Sequence, residues 1–190
     1  MPYPKILAFV EGKMERMFLN NNFHYVTVIP VANGTSWSLT AMADQIESRY
    51  RARNFFGDAI VIWIDRERRE ESAEELSQVI RDRLVSVGAI GGNIHILVGD
   101  RMCENIILAD EDLMRDQTGD PNYTYAGDGC HGKHALKSAL QASGKGFSET
   151  GTGVMLLKKT SLLAASTKSP SVLAFVNTFE MACWWLEPRH

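Results

Sequence analysis

Residues 5–15 read KILAFVEGKME, and residues 58–67 read DAIVIWIDRE. Each is a short apolar run that ends in carboxylates. Continuous apolar runs of this length, bounded by turn signals, are the pattern of strands buried on both faces of a parallel sheet. In an open parallel sheet, ligands gather outside the carboxyl ends of the strands. Two separate strands would therefore bring Glu11, Asp65 and Glu67 to one rim. Carboxylates crowded in this way repel one another, and a hard divalent cation such as Mg²⁺ lets them stay ionised together.

Working outward, residues 6–10 form the first strand, and a helix over 13–21 follows with Met14, Met17 and Phe18 on one face. Residues 25–31 (YVTVIPV) read as a second strand, at an edge or ending at Pro30, which has no ladder hydrogen to donate. A loop leads to a helix over 39–51, with Met42 and Ile46 inward. The third strand, 59–64, is the most apolar segment and reads as central. The charged turn RERREES then opens a helix over 72–87, with Leu76, Val79, Ile80, Leu84 and Val87 at helical spacing and Gly88 as its stop. A fourth strand at 94–98 and a helix over 102–114 complete the order βαβαβαβα. That order predicts an α/β fold, Rossmann-like, with a mainly parallel sheet flanked by helices.

Past Arg115 the pattern weakens. Residues 116–129 (DQTGDPNYTYAGDG) read as a loop and 144–153 as a flexible stretch, with helices at 131–142 and 171–186. The reading is a core over 1–115 and a helical C-terminal extension over 116–190 packed on it, a single domain overall.

A chain of 190 residues suits one well-cored domain. Its net charge of −3 gives no general attraction to nucleic acid, so such binding needs a local basic face. Arg66, Arg68, Arg69 and Arg101 fall near the acidic rim and could hold phosphates in register. No run is long enough to span a membrane and the start lacks a signal pattern, so a cytoplasmic protein is expected. Cys103, Cys130 and Cys183 are odd in number and widely spaced, which suggests neither a disulfide framework nor a zinc site. Trp184 and Trp185 read as a packing anchor or a contact with another chain, as in a homo-oligomer.

The strand–EGxxE–helix unit at 9–15, followed by a strand ending in Asp-x-Glu at 65–67, resembles the Toprim fold. That metal-binding domain is shared by topoisomerases, primases, OLD-family nucleases and the maturase of 5S ribosomal RNA. The Toprim pattern usually has Asp-x-Asp at the later strand. Glu67 in the last place keeps an oxygen ligand but lengthens its reach. The segments CENIILAD (103–110) and KSPSVLAFVNTF (168–179) are similar to features of small standalone Toprim-like proteins of undefined function, related to the Toprim half of OLD nucleases. The Toprim likeness covers roughly the first hundred residues, and the narrower one nearly the whole chain.

The resemblance implies phosphodiester cleavage with Mg²⁺ or Mn²⁺, nucleic acid as substrate (DNA ahead of RNA) and a separately encoded ATPase as partner, in defence against phage or plasmids. It also implies a lysine that neutralises transition-state charge, for which Lys158 and Lys133 are both candidates. Four acids, Glu11, Glu15, Asp65 and Glu67, could support two metals that clamp the attacking and leaving oxygens. Glu104 and Asp110 are candidates for the rim of the site.

Other readings stand beside this one. Residues 65–71 could be a salt-bridged surface turn whose acids favour a helix start. The fold could serve a non-catalytic binding or regulatory subunit. Residues 127–134 (GDGCHGKH) fit a phosphate-binding loop until His134 replaces the Ser or Thr that Mg²⁺ requires. His131 and His134, at i, i+3, could share a metal or simply lie at the surface.

Overall fold

The computed structural model describes residues 4–31, 38–67, 69–99 and 103–178. The chain forms two compact units, Met1–Val98 and Gly99–His190. This division falls ahead of the boundary read after Arg115, because composition does not change where the sheet ends. The first helix beyond it packs on later helices of the second unit.

The first unit holds β1 (Ile6–Val10), α1 (Lys13–Asn22), β2 (Val26–Pro30), α2 (Leu39–Arg53), β3 (Ala59–Asp65), α3 (Ala73–Ser86) and β4 (Ile94–Gly99). The four strands form one parallel sheet in the order β2-β1-β3-β4. The expected α/β fold is thus present, with β1 and β3 central and Pro30 closing an edge strand. Central strands of a parallel sheet are covered on both faces, and every residue of β1 is buried.

Alternation along the strands sends successive side chains to opposite faces. Leu7, Phe9, Ile60, Ile62, Ile64, Ile94 and Ile96 face a core shared with Met42 and Ile46 of α2 and Leu76, Ile80 and Leu84 of α3. The buried stripe of α3 is narrower than its sequence suggests, since Val79 is exposed. Trp63 lies on the other face, its ring edge-on to Phe18 of α1 at 6.3 Å between centroids.

The helices start where side chains satisfy their first N–H groups. Ser38 accepts from the Ala41 N–H at 3.2 Å. Ser72 and Glu75 form a reciprocal capping box at the start of α3, at 3.1 and 2.7 Å.

The regular elements that follow in the second unit are all helical among its described residues: α4 (Glu104–Ala109), α5 (Glu111–Thr118), α6 (Gly132–Ala142), α7 (Val154–Lys159), α8 (Leu162–Ser166) and α9 (Pro170–Thr178), with the expected loop before α6. A π-helical turn at Glu149–Gly153 leads into α7, where a flexible stretch was expected. Helix α4 is buried on every side and packs against α6 and α8. The single helix expected over 102–114 is instead two, broken at Asp110. That residue is buried, and its carboxylate accepts the Leu113 N–H at 3.2 Å and the Ser161 N–H at 2.7 Å. One side chain therefore caps α5 and holds the start of α8. The last helix is described only to Thr178, so Cys183, Trp184 and Trp185 lie outside the described residues. No helix among the described residues is long and apolar enough to cross a membrane.

Candidate metal centre at the ends of β1 and β3

Glu11 is the first residue past β1, and Asp65 is the last of β3. The parallel register pairs Val10 with Trp63, so the two strands run out side by side. Glu11 extends the ladder by one step, its N–H donating to the Trp63 carbonyl at 3.1 Å. Its side chain then crosses to the same strand, where Oε2 accepts the Asp65 N–H at 3.0 Å. Backbone and side chain together fix this carboxylate at the strand ends.

Gly12 is the N-cap of α1 in extended backbone and contributes no capping side chain. Its role is space. A Cβ built at position 12 would lie 2.0 Å from a Glu15 carboxylate oxygen. Glu15, at the third position of α1, folds back into the volume that any other residue would fill, and it is only 2% exposed. Carboxylate oxygens of Glu15 and Asp65 lie within 4.8 Å of each other, a spacing at which one cation could take both.

Glu67 sits just beyond β3 with a positive φ of 52°, a conformation uncommon outside glycine. Among the described residues its Oε2 is buried without a hydrogen-bond partner, as is Oε1 of Glu11. Burial pushes the Glu11 carboxyl above its ordinary range. The Asp65 N–H and the Arg69 guanidinium pull it back in part, and the neighbouring Glu67 charge adds to the rise.

Arg69, expected near the acidic rim as one of four arginines that could hold phosphates, has a side chain only 6% exposed, with Nη2 at 3.6 Å from Glu11 Oε1. Its Nη1 donates to the Asp65 carbonyl. Arg66 is half-buried and donates from Nη1 to the Arg69 carbonyl at 3.3 Å. Arg68 and Arg101 lie outside the described residues.

The structure therefore brings carboxylate oxygens of Glu15 and Asp65 within 4.8 Å of each other and ties Glu11 to the Asp65 amide, while Glu11 and Glu67 fall outside that metal-spaced group. Sequence reading missed two parts of this arrangement, the empty volume at Gly12 and the inward Arg69. The Gly in E-G-x-x-E carried the first signal, while an arginine inside a charge run carries none for the second.

The remaining candidates belong to the second unit. Glu104 is buried in the first turn of α4, with Oε2 at 3.8 Å from the Cys103 thiol. Burial is the main reason its carboxyl is pushed up, with Lys133 opposing and Glu149 adding to the rise. Lys133 bonds to Glu149, and that contact above all pushes its pKa up. Lys158 is exposed at the end of α7. Asp110 serves as the double cap described above.

The glycine-rich segment before α6 is not preceded by a strand, and Asn105 Nδ2 donates to its Cys130 carbonyl at 3.2 Å. A Cβ at Gly132 would meet Asn105 Oδ1 at 2.3 Å, so this glycine allows close helix packing. His131 and His134 stack edge-on at 6.3 Å between ring centroids, both exposed.

No family model matches the chain, and no curated protein or solved structure matches it either.

Proposed function

We propose that this chain is a Mg²⁺-dependent Toprim-type nuclease or nucleic-acid-processing subunit. The observation that carries the reading is the meeting of acids from two adjacent parallel strands and the helix between them. Glu11 is tied to Asp65 at 3.0 Å, and oxygens of Glu15 and Asp65 come within 4.8 Å. Glu15 and Asp65 offer carboxylate oxygens of the kind a hard cation takes, and Glu11 and Glu67 each keep a buried oxygen without a hydrogen bond among the described residues.

Glu11, Glu15, Asp65 and Glu67 are the residues that would hold Mg²⁺ or Mn²⁺. When bound there, such a cation supplies charge neutralisation at a phosphodiester's oxygens. Glu11 is held by its bond to the Asp65 amide, so its free oxygen is fixed before any ligand arrives. Gly12 keeps room for Glu15. Arg66, half-buried in the turn after β3, would orient a phosphate. The charge-neutralising lysine is assigned to Lys133 or Lys158 by the Toprim likeness. The same likeness supports DNA ahead of RNA, a separate ATPase partner and a role in phage or plasmid defence.

A second reading, a non-catalytic subunit of such a complex, draws support from the Arg69–Glu11 pair, which already neutralises one of the acids. The deciding experiment is Mg²⁺- or Mn²⁺-dependent cleavage of linear and supercoiled DNA, with the ATPase partner supplied where cleavage needs it. Glu11→Ala and Asp65→Ala should each abolish cleavage with helical content unchanged by circular dichroism. Full activity in both variants rejects the site. Cation binding without cleavage of DNA or RNA selects the non-catalytic reading.

A further inference from the structure

Two of the three guanidinium nitrogens of Arg69, Nε and Nη2, are buried without a hydrogen bond among the described residues. The side chain is 6% exposed, and its ion pair with Glu11 is long, Nη2 to Oε1 at 3.6 Å. Buried arginine normally satisfies its donors, and a buried ion pair is favourable only with good geometry. This pair has charge balance without that geometry. The Glu11 oxygen that faces Arg69, Oε1, is the one left without a hydrogen bond.

We infer that Arg69 is a displaceable counter-cation. In the metal-free protein it neutralises Glu11, and a divalent cation taking Glu11 Oε1 expels it toward solvent. The inference rests on the metal reading above. Like charges a few ångströms apart in a buried site repel strongly, so guanidinium and divalent cation exclude one another.

Arg66 and Arg69 bond to each other within the turn, the Arg69 N–H to the Arg66 carbonyl at 3.1 Å and Arg66 Nη1 to the Arg69 carbonyl at 3.3 Å. Arg69 Nη1 also donates to the Asp65 carbonyl. Glu67, within the turn, holds the uncommon positive φ. Once released, a planar guanidinium beside a metal-loaded acid site suits bidentate binding of a phosphate. Cation entry would thus create the anion contact as well as the metal centre.

The test is Mn²⁺ titration of the full-length chain by calorimetry, wild type against Arg69→Gln. Removing the competitor should tighten Mn²⁺ binding by about tenfold. In parallel, amide exchange of residues 66–71 is followed in the wild type with and without Mg²⁺, and should speed up when the cation binds. Equal or weaker Mn²⁺ binding by a folded Arg69→Gln variant overturns the inference while leaving the metal reading standing. Should that variant not fold, the exchange result decides: slowed or unchanged exchange in cation-bound wild type overturns it. No binding by either protein overturns the metal reading and this inference together.

Discussion

The Glu11 carboxylate accepts the Asp65 amide hydrogen at 3.0 Å across 54 residues of sequence. The bond joins the ends of two parallel strands through a side chain, so Glu11 is both a link in the fold and a candidate ligand. Glu11→Gln keeps an acceptor for the amide but removes the charge. Mn²⁺ affinity should fall by ~10–100-fold, and thermal stability should fall too, because the buried Arg69 loses its counter-charge. Calorimetric titration with a melting curve on the same sample checks both.

Protons compete with the cation for Glu11. Because burial lifts its carboxyl above the ordinary range, the proton stays on to a higher pH than on an exposed glutamate. Apparent Mn²⁺ affinity should therefore begin to fall, as pH is lowered, before the usual carboxylate range is reached. A titration series from pH 8 down to the ordinary value of 4.5 tests this, and affinity flat across that range would contradict it.

Gly12→Ala sets a methyl against the Glu15 carboxylate, with 2.0 Å between Cβ and oxygen. The obstacle is the end of a flexible side chain, so the helix survives and the acid moves. The expected outcome is a stability change of about 1 kcal/mol or less, with a clear loss of Mn²⁺ binding. Urea unfolding read beside calorimetry separates the two effects.

Asp110→Ala removes the acceptor for two N–H groups in the second unit, those of Leu113 and Ser161. A lost cap costs about 1 kcal/mol and a buried donor left unpaired about 1–3. The variant should lose roughly 2–4 kcal/mol by urea unfolding. Asp110→Asn, which keeps an acceptor, should recover part of that.

Glu104 is raised by burial from its ordinary value of 4.5. The folded protein then holds this proton more tightly than the unfolded chain does. Stability linked to Glu104 is present as pH falls toward 4.5 and is lost as pH rises through the raised value. Glu104→Gln should remove this dependence. The stability of the variant minus that of the wild type should climb with pH across that window and level off above it, as read by denaturant unfolding at several pH values.

The sheet was legible because β1, β3 and β4 are nearly continuous apolar runs, and a buried parallel strand has no other way to read. Glu11 and Asp65 were legible for the same reason, since each ends such a run. The break at Asp110 was not. Helical spacing runs through CENIILADEDLM without glycine or proline, and the second N–H that Asp110 accepts belongs to Ser161, 51 residues away. Short helices α7 and α8 escaped detection because five or six residues carry too little periodicity. The charged turn at 65–71 looked uniform in sequence. Only packing separates Arg69, drawn inward, from acids such as Glu70, left exposed.

The pairing of Val10 with Trp63 makes the acidic rim a matter of counting. Side chains alternate across a strand, so deleting one residue within Ala59–Asp65 would slide the remainder by one place and turn Asp65 to the opposite side of the sheet. Glu11 would then face whichever neighbour arrived in its stead. Loops elsewhere in this chain can lengthen or shorten with little effect on the acids, but the distance from the start of β3 to its last aspartate admits no change of length.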